Sequence, residues 1–449
     1  MLLFVCKQVN NTSYNPFLYS PYINKSFLGS DENSADCDAD GVFFIYFSFI
    51  LCYNYIMYFI IYDVFRGRNI IMKKLWKCGI LLGLMLVTVL GLSQDPEPVN
   101  ELNENPMRAL WLRPKEKTIE QVERHVQQIK DAGLNTIFLE TVYNGYTIFP
   151  VEYDATYQNP RYRGFDVLQA YIDACHSRGM QLHCWVESFC IGTQYTDKGG
   201  PVAAAHQDWL LTNSRGENWE DTQYGKMYFL NPARPEAREW IVGLYEIICT
   251  NYDIDGIQLD YVRYPEKTED IDYGYDSYTM QAYNSSRSAD IDSLVEYKQQ
   301  MVTEFVKLCS QRLRAANPDL IISLSVYPFF DVGEDVYMQS AQDWMDAGYG
   351  DLLVPMAYYE NLVEMLTSDA LFVSKSPKNT VIGICSQNGF TVESLKAQAE
   401  SVLNSGAGVA IFEFESFFDG YATDWGETVF TDTLYDIDPK EYASRIENK

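Results

Sequence analysis

The chain reads as an α/β protein built on a closed (β/α)8 barrel of the TIM type, with a long loop after the third strand. Three observations carry that expectation. Beyond residue 106, short apolar strand-like runs alternate with helical periodicity, and eight such pairs fit into about 320 residues. No GxGxxG follows the first strand and no GxxxxGK[ST] occurs, so the signatures of a nucleotide-binding open sheet are missing. Carboxylates and aromatic rings recur at the carboxyl ends of the strands, the face on which barrel enzymes assemble their sites.

Composition narrows the partners. The 449 residues carry a formal charge of -28, and clustered Lys and Arg of the kind that phosphate binding requires are absent, so no nucleic-acid partner is expected. An aromatic share of 15%, with 34 Tyr and 8 Trp, supplies both a large core and stacking surfaces.

The N-terminal region has a different character. Residues 41–64 form an apolar run long enough to cross a bilayer, interrupted by Tyr53, Asn54 and Tyr55. Met72, Lys73, Lys74 and Lys77 then open a second apolar run, 78–92, which ends with Gly91 and Ser93 at the -3 and -1 positions of a secretory signal peptide. Such a signal belongs at a chain start. Met72 is therefore read as the biological start, 72–93 as the signal peptide, and 1–71 as upstream translated sequence, with a membrane segment as the alternative. A secreted or periplasmic product with no stable membrane anchor after cleavage follows from that reading. Residues 94–106, acidic and Pro-containing, form a linker; 107–436 form the barrel and 437–449 a tail.

The barrel elements follow in order. Residues 107–113 are the first strand; 118–132 form a helix with Ile119, Val122, Val126 and Ile129 on one face, stopped by Gly133. The second strand, 135–140, leads into a loop over 141–165. Asp166 caps a helix ending at Gly179, and 180–187 is the third strand. The excursion 188–232, carrying His206, Trp209 and Trp219, has the length of a lid or binding loop. Pro235 opens the helix 236–252, which delivers the fourth strand at 255–260. Helices at 289–316, 336–347, 363–374 and 392–405 alternate with strands at 320–327, 351–358, 380–385 and 408–415.

Within the fourth strand, period-2 alternation places Gln258 and Asp260 on one face and Ile257 and Leu259 on the other. A charge on a buried strand is expensive unless something pairs or uses it. An ion pair with Arg263 is the plain explanation of Asp260. Its neighbours at the other strand ends point elsewhere: Glu140, Glu187, Tyr327, Tyr358, Glu413 and Glu415 converge on the same face. Paired carboxylates suit glycoside hydrolysis, one protonating the leaving oxygen while the other attacks carbon or activates water. Asp260, Glu187 and Glu140 are the candidate catalytic residues, on a polysaccharide or oligosaccharide. Trp111, Trp185, Tyr264 and Tyr359 are placed to stack on sugar rings; Gln258 and Arg263 orient the carboxylate, contact substrate, or simply bond inside the barrel.

A divalent metal held by the same acids ranks second, because neither they nor the four His show ligand spacing. No metal or cofactor is expected. The six cysteines after Ser93 read as buried free thiols, with a Cys184–Cys190 disulfide as the alternative.

Several motifs resemble the family 10 glycosylhydrolase-like proteins, a secreted bacterial barrel family distantly similar to the α-amylase clan. They are Met107-Arg108-Ala109-Leu110-Trp111-Leu112, Gly133-Leu134-Asn135-Thr136-Ile137, His183-Cys184-Trp185-Val186, His206-Gln207-Asp208-Trp209-Leu210, Leu230-Asn231-Pro232 and the run from Asp255 to Pro265, the most specific of them. The resemblance extends from about Met107 to at least Tyr358. It implies a nucleophile at Asp260 and a bacterial cell-wall glycan substrate, in particular strands stripped of their peptides. The chain departs from the pattern in three places: residues 320–328 contain no Glu, Glu187 stands where many relatives carry Asn, and Glu140-Thr141-Val142 replaces Gln-Val-Arg. A glycan-binding barrel without catalysis, a hydrolase of host or dietary glycans, and a partner-binding 188–232 loop are the competing readings.

Overall fold

A computed structural model of the protein describes residues 105–196, 199–222, 225–287, 293–386 and 391–420. Among them eight parallel strands form the barrel: β1 (Arg108–Leu112), β2 (Thr136–Tyr143), β3 (Gln181–Glu187), β4 (Gly256–Asp260), β5 (Ile321–Val326), β6 (Leu352–Pro355), β7 (Val381–Cys385) and β8 (Gly408–Phe412). Each pairs with its chain neighbour, and β1 pairs with β8 through Arg108↔Val409 to Leu110↔Ile411. The parallel bridges Leu353↔Thr380 and Met356↔Gly383 join β6 to β7, so the sheet closes on itself. The expected (β/α)8 architecture is the one found.

Alternation along the strands divides two cores. Ala109, Trp111, Phe138, Trp185, Leu352, Val354, Val381 and Ala410 pack together inside the barrel. Leu110, Ile137, Leu182, Ile257, Leu259 and Ile322, the intervening residues, belong to the larger cluster that the helices cover. Because both faces are buried, the strands read as continuous apolar runs.

The helices begin and end where local chemistry allows. Thr118 caps α1 (Ile119–Asp131) by accepting from the Gln121 N–H, and Asp166 caps α2 (Val167–His176) by accepting from the Gln169 N–H. Pro235 occupies the first turn of α3 (Pro235–Asn251), where its missing N–H costs nothing. Ser293 and Glu296 form a reciprocal capping box on α4 (Leu294–Ala316), which begins after the predicted start at 289.

The predicted helix 336–347 is instead two: α5 (Phe330–Tyr337) and α6 (Ala341–Asp346), separated by Met338 at φ 64°. The reason lies in Gln339, which is buried. Its side chain accepts from the Tyr327 N–H at 2.8 Å and donates to Ser325 O at 3.3 Å, an inward reach that a continuous helix would prevent. The last two helices, α7 (Val363–Ser374) and α8 (Val392–Asn404), follow the expected spans.

The 188–232 excursion is structured as a three-stranded antiparallel sheet of Cys190–Thr193, Glu220–Thr222 and Gly225–Phe229. All six described cysteines are buried free thiols, so Cys184 and Cys190 are not joined. The apolar run 41–64, the signal peptide, the linker up to residue 104 and the segment 421–449 lie outside the described residues. Among those described, no helix is long and apolar enough to cross a membrane.

One packing constraint inside the barrel is sharp. Gly256 pairs with His183, and a Cβ built on Gly256 would lie 2.5 Å from His183 Nδ1. The Gly256→Ala variant is expected to lose about 1–3 kcal/mol, as overpacked cores do, with a Tm lowered by several degrees. An unchanged Tm in thermal unfolding would mean that the His183 ring swings aside freely.

Candidate active site

The carboxyl ends of the strands form a cleft of about 150 Å³ lined by Trp111, Arg113, Trp185, Asp260, Tyr261, Arg263, Ser325, Met356, Tyr358 and Phe412. A larger cavity of about 350 Å³ lies at the opposite mouth, where the strands begin. Its walls, which include Asn135, Gln181 and Lys378, contain no carboxylate. Barrel chemistry belongs to the carboxyl-end face, and so do the acids of this chain.

Asp260 ends β4 and is 8% exposed. Its Oδ2 accepts from Trp185 Nε1 at 2.9 Å and its Oδ1 from the Tyr261 backbone N–H at 2.7 Å. Tyr261 itself adopts φ 51°, a left-handed conformation unusual for a residue with a side chain and found at functional turns. Burial raises the Asp260 carboxyl above its ordinary value; the two N–H donors, Arg263 and Arg113 oppose that rise.

Glu187 is in register with Asp260 on the neighbouring strand. It is 5% exposed, and its Oε2 has no hydrogen-bond partner among the described residues. Burial, reinforced by the charge of Glu140, holds its carboxyl well above the usual range, against the pull of Arg113. Its burial and unpartnered oxygen favour the neutral form, which is the form able to donate a proton. Glu140, on β2 beside Trp185, has a different fate: Arg113 Nε donates to its Oε1 at 2.9 Å. Burial pushes the Glu140 carboxyl up to about 7, with the adjacent guanidinium opposing a larger rise.

Arg113 ties the cleft together. Its guanidinium carbon lies 4.9 Å from the centroid of the Trp185 ring and 5.5 Å from that of Phe412, and Nη1 is 4.0 Å from Glu413 Oε2. Stacking and ion pairing therefore fix one cation over the indole that bonds Asp260. Tyr358 stacks on Phe412 at 5.4 Å, continuing the aromatic wall. Arg263 is held between Tyr261 and Tyr337, 5.0 and 4.9 Å from their centroids. Tyr327, half-buried, packs on Tyr337 at 4.8 Å and brings its hydroxyl to 3.5 Å from that of Tyr359.

The sequence-derived set is thus brought together only in part. Asp260, Trp111, Trp185, Arg263 and Tyr358 line the cleft; Glu140, Glu187 and Glu413 are buried at its edge within the field of Arg113. Three of the expected residues do not line the cleft. Gln258 is fully buried and accepts from Trp111 Nε1, so it orients an indole inside the barrel and cannot reach a substrate. Tyr264 is 1% exposed, with its ring 5.5 Å from the buried Lys298 ammonium, because the chain turns at Tyr261 and carries it beneath the loop. Glu415 lies beyond the end of β8, partly exposed, and pairs with Lys115.

Arg113, Phe412, Tyr261, Ser325 and Met356 were absent from the sequence-derived set. Two were within reach of it. Arg113 continues the inward series Ala109, Trp111, and Phe412 continues Gly408, Ala410; alternation alone would have pointed to both. Tyr261 depends on a backbone turn that no residue pattern announces. No group of acids, His and Cys suited to a metal ion occurs among the described residues.

Comparison with known proteins agrees with this geometry. The chain is 22% identical over 319 residues to the glycosyl hydrolase YngK of Bacillus subtilis, covering 63% of this chain and 58% of that protein. It is 22% identical over 312 residues to the glycosyl hydrolase DigH of Escherichia coli, covering 62% and 65%. The chain therefore spans less than two thirds of the length of these relatives. Among solved structures, α-L-fucosidase isoenzyme 2 from Paenibacillus thiaminolyticus superposes with a TM-score of 0.52 at 14% identity, over 76% of this chain and 49% of the other. The catalytic domain of β-amylase from Paenibacillus polymyxa gives 0.50 at 11% identity, over 70% and 94%. Those two likenesses speak to the fold alone. The family description glycosyl hydrolase-like 10 matches residues 106–400. The chain belongs to the glycosyl hydrolase-like 10 family.

Proposed function

We propose that the protein is a secreted glycoside hydrolase acting on polysaccharide, with bacterial cell-wall glycan strands as its substrate. One observation carries the hydrolytic reading: Asp260 and Glu187 stand in register on adjacent strands at the carboxyl-end mouth, the first accepting two N–H bonds and the second with an unpartnered oxygen. Two N–H donors stabilise Asp260 as a carboxylate able to attack carbon or activate water. Glu187, buried with an unpartnered oxygen, keeps its proton for the leaving glycosidic oxygen. Glu140 is the weaker donor because Arg113 already engages it. Tyr358 and Phe412, partly exposed above the buried indoles of Trp111 and Trp185, offer ring surface to sugar CH groups.

The YngK and DigH names support hydrolysis, and the family resemblance supports cell-wall glycan as substrate. The test is release of new reducing ends from purified peptidoglycan, with and without stem peptides, alongside neutral plant and host glycans. Release from the peptide-free strands is expected. Binding without new ends would instead favour a glycan-binding barrel, a reading that the lack of an acid on β5 makes concrete. Secretion is tested separately: the mature N-terminus should map near Gln94, and one mapping near residue 1 would overturn it.

A further inference from the structure

We propose that Arg113 is the residue that biases the proton in this cleft: by gripping Glu140 and not Glu187, its guanidinium favours the charged form of the first glutamate over that of the second. The geometry is asymmetric. Arg113 Nε bonds Glu140 at 2.9 Å and Nη1 lies 4.0 Å from Glu413, whereas no bond joins it to Glu187, whose Oε2 is buried without a partner among the described residues. The Trp185 and Phe412 rings hold the guanidinium in that orientation, so the choice between the two glutamates is fixed by packing.

The titratable groups facing Arg113 come from most of the surrounding wall: Glu140 and Tyr143 from β2, Glu187 from β3, Asp260 from β4, Tyr358 after β6 and Glu413 after β8. Burial works against the charge of Arg113, but the glutamates outweigh it and hold the guanidinium protonated. One cation therefore serves several acids. Only Glu140 has its hydrogen bond, and Glu140 lies next to Glu187 in the wall, where its negative charge discourages a second ionisation. Arg113 thus acts on Glu187 through Glu140 and is a positioning residue; its consequence for catalysis rests on the hydrolytic reading above.

The test compares Arg113→Gln and Arg113→Lys with the parent chain by thermal unfolding between pH 5 and pH 8. Without the guanidinium, Glu140 holds its proton to higher pH in the folded state, while the unfolded chain releases it near the ordinary value of 4.5. Stability then falls over a wider pH range than in the parent. The Tm deficit of Arg113→Gln is expected to widen by about 2–4 °C from pH 5 to pH 8, and Arg113→Lys to recover much of it. A deficit that is the same at both pH values would mean that Arg113 only packs, and would overturn the proposal whether or not the protein hydrolyses any glycan.

On a glycan that the parent cleaves, the acidic limb of the pH profile of kcat/KM should move up by about one pH unit in Arg113→Gln, because Asp260 also loses a neighbouring cation. A limb that stays in place while kcat/KM falls would overturn the positioning role. A parent chain that cleaves nothing would remove the hydrolytic reading, with the Tm comparison still deciding whether Arg113 favours the charged form of Glu140.

Discussion

Replacing Asp260 by Asn is expected to lower glycan cleavage by about 10³-fold or more, the scale of loss when an essential nucleophile or base is removed. The fold should survive. Asn keeps one acceptor oxygen for either Trp185 Nε1 or the Tyr261 N–H, and its amide nitrogen then faces the other donor at a cost of about 1–3 kcal/mol. Against that cost, a buried charge has been removed. Reducing-end release and thermal unfolding, measured on the same preparation, separate the outcomes. Full activity in the variant, or a chain that no longer folds, would sink Asp260 as the reacting carboxylate.

Glu187→Gln carries the second large effect, and it acts on two measurements in opposite directions. Cleavage of natural glycan should fall by about 10²–10⁴-fold, the contribution of a positioned proton donor. An aryl glycoside whose leaving group needs no protonation should lose much less. Stability should rise with pH relative to the parent. The folded Glu187 carboxyl holds its proton well above 4.5, so the parent loses stability as the pH climbs from the unfolded value towards the folded one. Gln does not titrate and is spared that loss. At pH 8 the variant is expected to be the more stable of the two, and at pH 4 to match the parent or fall below it. If Glu140→Gln shows this pattern and Glu187→Gln does not, the proton donor is Glu140.

Both variants address residues that strand alternation had already singled out. In a barrel with both faces buried, period 2 decides which side chains point inward, and the strand ends decide which inward residues meet solvent. That is why Glu140, Glu187 and Asp260 could be named from their positions after Phe138, Trp185 and Gln258. The same rule would have added Arg113 and Phe412, had the inward phase of β1 and β8 been carried one step further. It failed for Tyr264 and Glu415 because both lie past their strands, where loop conformation replaces periodicity.

The split of the predicted 336–347 helix has a related cause. Met338 and Gln339 look helical among their neighbours, but the buried Gln339 amide is claimed by Tyr327 and Ser325, long-range partners that local propensity does not register. The antiparallel sheet within 188–232 leaves no pattern in the sequence for a similar reason: its strands of three to five residues are too short for a periodic signal.

By itself, the sequence determined the eight-strand order, the capping residues Thr118 and Asp166, and the acids at the strand ends, because these follow from period, capping chemistry and chain order. Which donor or cation each acid meets follows from the tertiary fold alone. Glu140 and Glu187 are alike in residue type, burial and place on adjacent strands; the Arg113 guanidinium, just past β1, hydrogen-bonds the first and not the second. Electrostatic energies in a low-dielectric cleft change steeply with a few ångströms of separation, and separation between residues distant in the chain exists only once the barrel has closed.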